Sequence, residues 1–135
     1  MMHIVIDEET WDAFKESCER LLPNIESGLL DIETSGRDQL GDKLATLMRL
    51  VHTLKGDAGI VRLKNMVDLC HAMETLLGII SANPVLAKPS IVSMLLGALD
   101  KLKAMIDNPQ EAAGIDIERE LFVLGLATGR FRRDS

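Results

Sequence analysis

Leu40-Gly41-Asp42-Lys43-Leu44-Ala45-Thr46-Leu47-Met48-Arg49-Leu50-Val51-His52-Thr53-Leu54-Lys55-Gly56-Asp57-Ala58 is the stretch on which the reading of the fold turns. Leu40, Leu44, Leu47, Val51, Leu54 and Ala58 recur at intervals of 4, 3, 4, 3 and 4 residues. That spacing keeps one apolar stripe along one side of an α-helix, and so regular a stripe needs a partner surface to bury it. The polar residues between fill the opposite side. The stretch therefore reads as one helix, from about Asp38 to Ala58, in an all-α bundle.

The same period continues on either side. Trp11, Phe14, Cys18, Leu21, Leu22, Ile25 and Leu29 mark a helix from about Asp7 to Leu30, with Thr10 or Asp7 as its N-cap. Pro23 falls within it and is expected to kink it or start a new turn, because proline has no amide to donate. Leu63, Met66, Cys70, Met73, Leu77 and Ile80 mark a third helix, from about Leu63 to Ser81. Ile91, Val92, Leu95, Leu99, Leu102 and Ile106 mark a fourth, opened by Pro89 and Ser90. Asn83-Pro84 and Asn108-Pro109 act as stops. A shorter fifth helix is expected over about Ile115 to Ala127. Strand-like alternation is confined to Met1–Asp7, too short to build a sheet. The expected architecture is an antiparallel up-down four-helix bundle with the fifth helix as an accessory, in one domain over residues 1–128. Residues 129–135 are expected to be a frayed tail or the start of a linker.

The bulk numbers exclude several classes. With 3 Phe, 1 Trp and no Tyr among 135 residues, the core must be aliphatic, and base stacking on aromatic platforms is ruled against. A net charge of -6 speaks against a phosphate-backbone binder too, and suits partners with basic patches. No apolar run reaches the ~20 residues that span a bilayer, and the N-terminus lacks the basic start of a signal peptide. The expectation is a cytoplasmic protein that binds neither nucleic acid nor membrane. Cys18 and Cys70 fall at core positions as reduced thiols.

The chemistry lies on the outer side of the second helix. Taking about 100° per residue, His52 lies about 120° from the centre of the apolar stripe and so points out of the bundle. Gly56 and Gly59 follow it by four and seven residues, and Ala45 precedes it by seven. Each leaves the surface beside the imidazole bare. A glycine within a helix costs about 0.5–1 kcal/mol relative to alanine; two beside an exposed histidine mark a place where something large must come close. Met48 is at a core-filling spacing, like Met66, Met73, Met94 and Met105, and is also grouped with Ala45, Gly56 and Gly59 as the access and docking surface. Lys55, three residues after His52, can pack its stem and still reach a group held on the imidazole. On the third helix Val67, His71, Glu74 and Gly78 share a flank that can face His52. A carboxylate there would hold one ring nitrogen and leave the other as a base.

An imidazole with a cation beside it, bare backbone around it and a carboxylate to orient it has the chemistry of a histidine that accepts and passes on a phosphoryl group. A zinc site from His52, His71 and Glu74 is the weaker reading, since no His pair at i, i+4 exists and Lys55 would sit beside the metal. Asp57 and Arg62 read as surface charge, and His3 as a terminal residue without a partner. The sequence holds no Gly-rich nucleotide loop, Walker motif or kinase Asp/Asn set. The phosphoryl group must therefore come from, and go to, other domains.

Val51-His52-Thr53-Leu54-Lys55-Gly56-Asp57-Ala58-Gly59, followed by His71-Ala72-Met73-Glu74-Thr75-Leu76-Leu77, resembles the histidine phosphotransfer (HPt) domains, and most of all the N-terminal domain of CheA-type chemotaxis histidine kinases. The resemblance is sharp from about Leu47 to Leu77. It implies a helical bundle in which His52 is phosphorylated on Nε2, Lys55 neutralises the phosphoryl group, Gly56 gives access, and Glu74 and His71 form the supporting network. It also implies a phosphorelay with a histidine kinase catalytic domain and the receiver domain of a response regulator as partners. ATP and Mg²⁺ would be supplied by those partners, and no cofactor or metal would be held by this domain. One departure stands out: Arg62-Leu63 occupies the place where CheA-type domains tend to have glycine before an aromatic. A freestanding shuttle and the first domain of a CheA-like kinase both fit. The competing reading is a non-catalytic helical module that docks a receiver or kinase domain through the surface around Gly56 and Gly59.

Overall fold

The first helix begins where Asp7 can cap it. In the structure, a computed structural model that describes residues 7–133, the Asp7 carboxylate accepts the Thr10 amide at 2.7 Å and the Thr10 hydroxyl at 3.0 Å. Asp7, not Thr10, is the N-cap of α1, Glu8–Thr34. The bonds from Thr10, its amide first, hold the Asp7 carboxyl below its ordinary value. Pro23 lies inside α1 without breaking it. Its position is exposed, so the carbonyl its missing amide abandons faces water, and the cost stays small. Ile32 adds one more buried turn beyond the expected end at Leu30, and the Ser35 hydroxyl closes the helix on the Asp31 carbonyl at 2.6 Å.

The second helix, α2, spans Arg37–Ile60 and buries the whole of its expected stripe. Its end is a Schellman turn. The Leu63 amide reaches back to the Ala58 carbonyl at 3.0 Å and the Arg62 amide to Gly59 at 3.2 Å. Arg62 sits at the left-handed position of that turn, with φ 59°. This accounts in physical terms for the departure noted in the sequence: the position favours glycine, and an arginine there carries backbone strain of about 1–2 kcal/mol.

The third helix, α3, spans Lys64–Ala82 and ends at Asn83-Pro84. A 3₁₀ turn over Pro84–Leu86 follows, then α4 over Pro89–Met105. Asn108-Pro109, expected only as a stop, also starts a single extra turn, α5, Pro109–Ala112: the Asn108 side chain accepts the Gln110 amide at 2.9 Å. The last helix, α6, spans Glu118–Arg133. It starts later than the expected Ile115 and runs through Gly129, so the expected boundary at residue 128 falls inside a helix. Residues 1–6, with the short alternation and His3, and the tail end at 134–135 lie outside the described residues.

All the regular elements described are helical. α1 packs against α2 and α4; α3 packs against α2, α4 and α6; and α6 lies on α3 and α4. Contacts across two of these pairs run in opposite chain directions. Ser17 meets Asp57, whereas Gly28 meets Leu47; His52 meets Glu74, whereas Met48 meets Gly78. The core is aliphatic, with Trp11 and Phe14 at one end, and no polar or charged residue among those described is fully buried. Leu69, Leu76, Ala98 and Met105 join the expected stripes. Cys18 and Cys70 are buried free thiols, both pushed up to about 12 by burial first and then by the Asp57 and Glu74 carboxylates respectively.

Candidate functional site

The buried faces of α2 and α3 set the two helices side by side, and their shared edge brings three of the expected residues together. His52 projects from α2 with its side chain 71% exposed. Its Nδ1 lies 3.5 Å from Glu74 Oε1, a gap longer than a formed hydrogen bond. Lys55, one turn on, places its Nζ 3.1 Å from both Glu74 oxygens. Lys55 and Glu74 are only 23% and 20% exposed, so this pair is partly withdrawn from water while the imidazole is not.

The two oxygens of Glu74 are not equivalent. Oε2 accepts a hydrogen bond from Lys55. Oε1 is buried and has no aligned donor, although Lys55 Nζ and His52 Nδ1 are both near. The Lys55 ammonium gives Oε1 an ion-pair partner without an aligned hydrogen bond. A small rotation would let His52 Nδ1–H donate to Oε1 as well. The same hydrogen bond would fix the imidazole tautomer with its lone pair on Nε2, the nitrogen turned away from the carboxylate.

Around the imidazole the surface is open. A Cβ built on Gly56 or Gly59 meets nothing within 4 Å. Side chains on a helix lean towards its N-terminus, so anything larger at position 56 would lie over His52. Ala45 is exposed, and Met48 is half-buried with its Cε 3.8 Å from the place of a Cβ on Gly78. Met48 thus packs against α3 at Gly78 at ordinary contact distance.

The structure does not draw His71 into the cluster: it is exposed, and among the described residues its imidazole has no hydrogen bond or ion pair. Two polar residues outside the expected site hold the scaffold. Asp57, read as surface charge, is half-buried and accepts the Ser17 hydroxyl at 2.7 Å, joining α2 to α1. Asn65 donates to the carbonyls of Ala112 and Ile115 at 2.8 and 3.2 Å while its own oxygen accepts the Met66 amide. It pins the start of α3 to the connection before α6. Neither bond has a periodic signature that would have exposed it.

No group of three or more His, Cys, Asp or Glu among the described residues is arranged to hold a metal ion. No helix described is long and apolar enough to cross a membrane.

Comparison with known proteins bears on the same region. A family model described as "Hpt domain" matches residues 9–112. The chain is 29% identical over 82% of its length to a chemotaxis protein CheA of Rhizobium meliloti (strain 1021). It is 32% identical over 76% of its length to CheA of Treponema pallidum (strain Nichols), and 32% over 87% to CheA of Cereibacter sphaeroides. It spans only 14%, 12% and 18% of those relatives. No solved structure gives a significant match. With most of the chain inside the family model and His52, Lys55 and Glu74 gathered on one helical edge, the chain belongs to the Hpt domain family, the phosphotransfer domains of two-component signalling.

Proposed function

We propose that His52 is the residue phosphorylated, by the catalytic domain of a histidine kinase, and that it passes the phosphoryl group to an aspartate in the receiver domain of a response regulator. The observation that carries this reading is the Glu74 carboxylate, whose Oε1 is held 3.5 Å from His52 Nδ1 and 3.1 Å from Lys55 Nζ. The Nε2 lone pair attacks the γ-phosphorus of ATP bound by the kinase domain. An N–P bond forms, the bridging P–O bond breaks, and ADP leaves. Glu74 accepts the Nδ1–H hydrogen bond, which strengthens as the ring gains positive charge. Lys55, already at the carboxylate, offsets charge on the transferring oxygens. In the second step a receiver aspartate attacks phosphorus, and the N–P electron pair returns to Nε2. The remaining contribution is positioning.

Gly56, Gly59, Ala45 and Met48 form the surface on which those partners close, with His71 at its edge. ATP and Mg²⁺ belong to the partners. The similarity to CheA proteins supports a chemotaxis-type pathway.

The test is incubation with a CheA-type kinase core and radiolabelled ATP, then acid and alkali treatment. The expected product is an acid-labile, alkali-stable label that His52→Gln abolishes and Glu74→Ala slows about 10- to 100-fold with the fold intact. Label retained in His52→Gln overturns the assignment of His52. Absence of any label, with tight receiver binding, favours a docking module.

A further inference from the structure

Ile60 is the most exposed large apolar side chain among the described residues, at 74%. It ends α2 eight residues after His52, with Gly56 midway. Residues four apart form one row along a helix, turning about 40° per step. His52, Gly56 and Ile60 therefore share one row on the outer side, with the bare glycine between the two side chains. Ile60 also lines a shallow cleft with Ala13 and Phe14 of α1. The other flank of the row is closed, because Met48 packs at Gly78 and Glu74 holds Lys55.

Arg62 follows two residues later, in the Schellman turn. Its backbone is left-handed, at φ 59°, where an L side chain is strained and glycine is not. Its side chain is exposed and makes no hydrogen bond or ion pair with any described residue. The carboxylates on the adjoining stretches of α2 and α3 are engaged elsewhere: Asp57 accepts the Ser17 hydroxyl, and Asp68 holds Lys64. Glu8 and Glu9, in the first turn of α1, do not pair with it either. The chain thus maintains a strained cation that no internal contact compensates.

Distance decides whether a partner at His52 can reach these two residues. Along the axis, Ile60 lies about 12 Å from His52 and the turn about 15 Å. An interface of standard size covers about 800 Å² of each partner, a disc about 16 Å in radius. A domain centred on His52 therefore covers both. Sign decides which partner gains from them. A kinase domain brings the phosphates of ATP and needs its own cations around them. A receiver brings an acceptor aspartate and the carboxylates that hold its Mg²⁺, so its rim suits a cation on this chain.

We infer that Ile60 and Arg62 are the part of the His52 surface that selects the receiver, Ile60 against an apolar side chain and Arg62 against a carboxylate at the rim of the acceptor site. The inference rests on the phosphotransfer reading of His52 and adds to it the place where the receiver is chosen.

The experiment labels the whole chain with a kinase core and radiolabelled ATP. Transfer to a panel of purified receiver domains with Mg²⁺ is then followed by rapid quench over a range of receiver concentrations. For the receiver that takes label fastest, Arg62→Gly is expected to raise KM about tenfold. The saturating transfer rate and the kinase labelling stay the same, as removal of a docking contact requires. Glycine eases the turn, so the loss cannot come from unfolding. The ratio to the parent should shrink as salt rises from about 0.05 M to about 0.5 M, since a charge at the rim of an interface is screened. Ile60→Ala is expected to raise KM about fivefold, because an apolar contact is cut back. Unchanged KM in both variants overturns the inference. Slower kinase labelling with transfer intact also overturns it, and gives this end of α2 to the kinase. A parent chain that takes no label overturns the phosphotransfer reading and this inference with it. A parent that labels and transfers beside indifferent variants overturns this inference alone.

Discussion

Two pairs of glycines in the helices of this bundle do opposite things. Gly28 and Gly78 lie between helices. A Cβ at Gly28 would meet Leu47 Cδ1 at 3.0 Å, and one at Gly78 would meet Met48 Cε at 3.8 Å. Gly28 is explained by its neighbour, because it lets α1 approach α2; the distance at Gly78 is an ordinary contact within the α2–α3 interface. Gly56 and Gly59 also sit within a helix, where each costs about 0.5–1 kcal/mol relative to alanine. Nothing stands within 4 Å of a Cβ at either. No contact inside the chain repays that cost. Gly41 and Gly97 also stand in helices under empty space; what sets Gly56 and Gly59 apart is that their empty space adjoins His52.

The largest break in this comparison comes from Gly56→Leu. Leaning towards the N-terminus, leucine would cover the imidazole. Phosphoryl transfer to a receiver should slow about 100-fold, equivalent to about 2.7 kcal/mol in the barrier, while the urea midpoint stays the same or rises. Unimpaired transfer, measured by rapid quench, would mean that the bare surface serves no partner. Gly28→Val should have the reverse profile. Its side chain presses on Leu47, and overpacking of this kind destabilises by about 2 kcal/mol. The folded variant keeps its transfer rate. A midpoint equal to the parent's would mean that Leu47 can swing aside and that the interface did not require glycine.

Arg62→Gly sharpens the contrast from the other direction, by supplying a glycine where the backbone calls for one. Relieving the left-handed strain at φ 59° should raise stability by about 1 kcal/mol. Chemical denaturation with an unchanged m-value is the check, and an unchanged or lower stability would place the arginine side chain in a compensating contact. The smallest effect belongs to Asp7. Its carboxyl is held below the ordinary value of 3.8 by the Thr10 amide and then the Thr10 hydroxyl. The folded pKa is depressed, so the cap's contribution is fully present above 3.8 and is lost as pH falls below it through the folded value. Asp7→Ala should remove that part of the acid slope. An identical slope would show that the cap does not couple to folding.

What the sequence made legible was whatever repeats. The stripe from Leu40 to Ala58 returned intact as the buried face of α2, and the same period located α1, α3 and α4. His52, Lys55 and Glu74 could be set on facing flanks because helical spacing fixes direction. The parts that stayed hidden depend on single long-range or backbone events. Asn65 reaches the carbonyls of Ala112 and Ile115, and no spacing rule connects residues that far apart. Arg62 in a glycine position is visible only once the Schellman turn is seen. Gly129 was expected to open a frayed tail or linker, yet α6 passes through it. Glycine's propensity cost in a helix is small enough for Leu124 and Ala127, buried against the core, to outweigh it. His71 shares a flank with Glu74 in sequence, but it is exposed and its imidazole makes no hydrogen bond or ion pair among the described residues.

The two thiols give the bundle an internal clock for its own opening. Cys18 and Cys70 are buried, and burial pushes both thiols up to about 12, so neither is thiolate at neutral pH. Alkylating reagents react with thiolate, so in the closed bundle both sulfurs are chemically silent. A thiol becomes reactive when its helix leaves the core, where solvent returns it to an ordinary cysteine. Cys18 reports on α1 and Cys70 on α3, so the rate at which each is modified reads out the separate opening free energies of two helices, with no probe added to the chain.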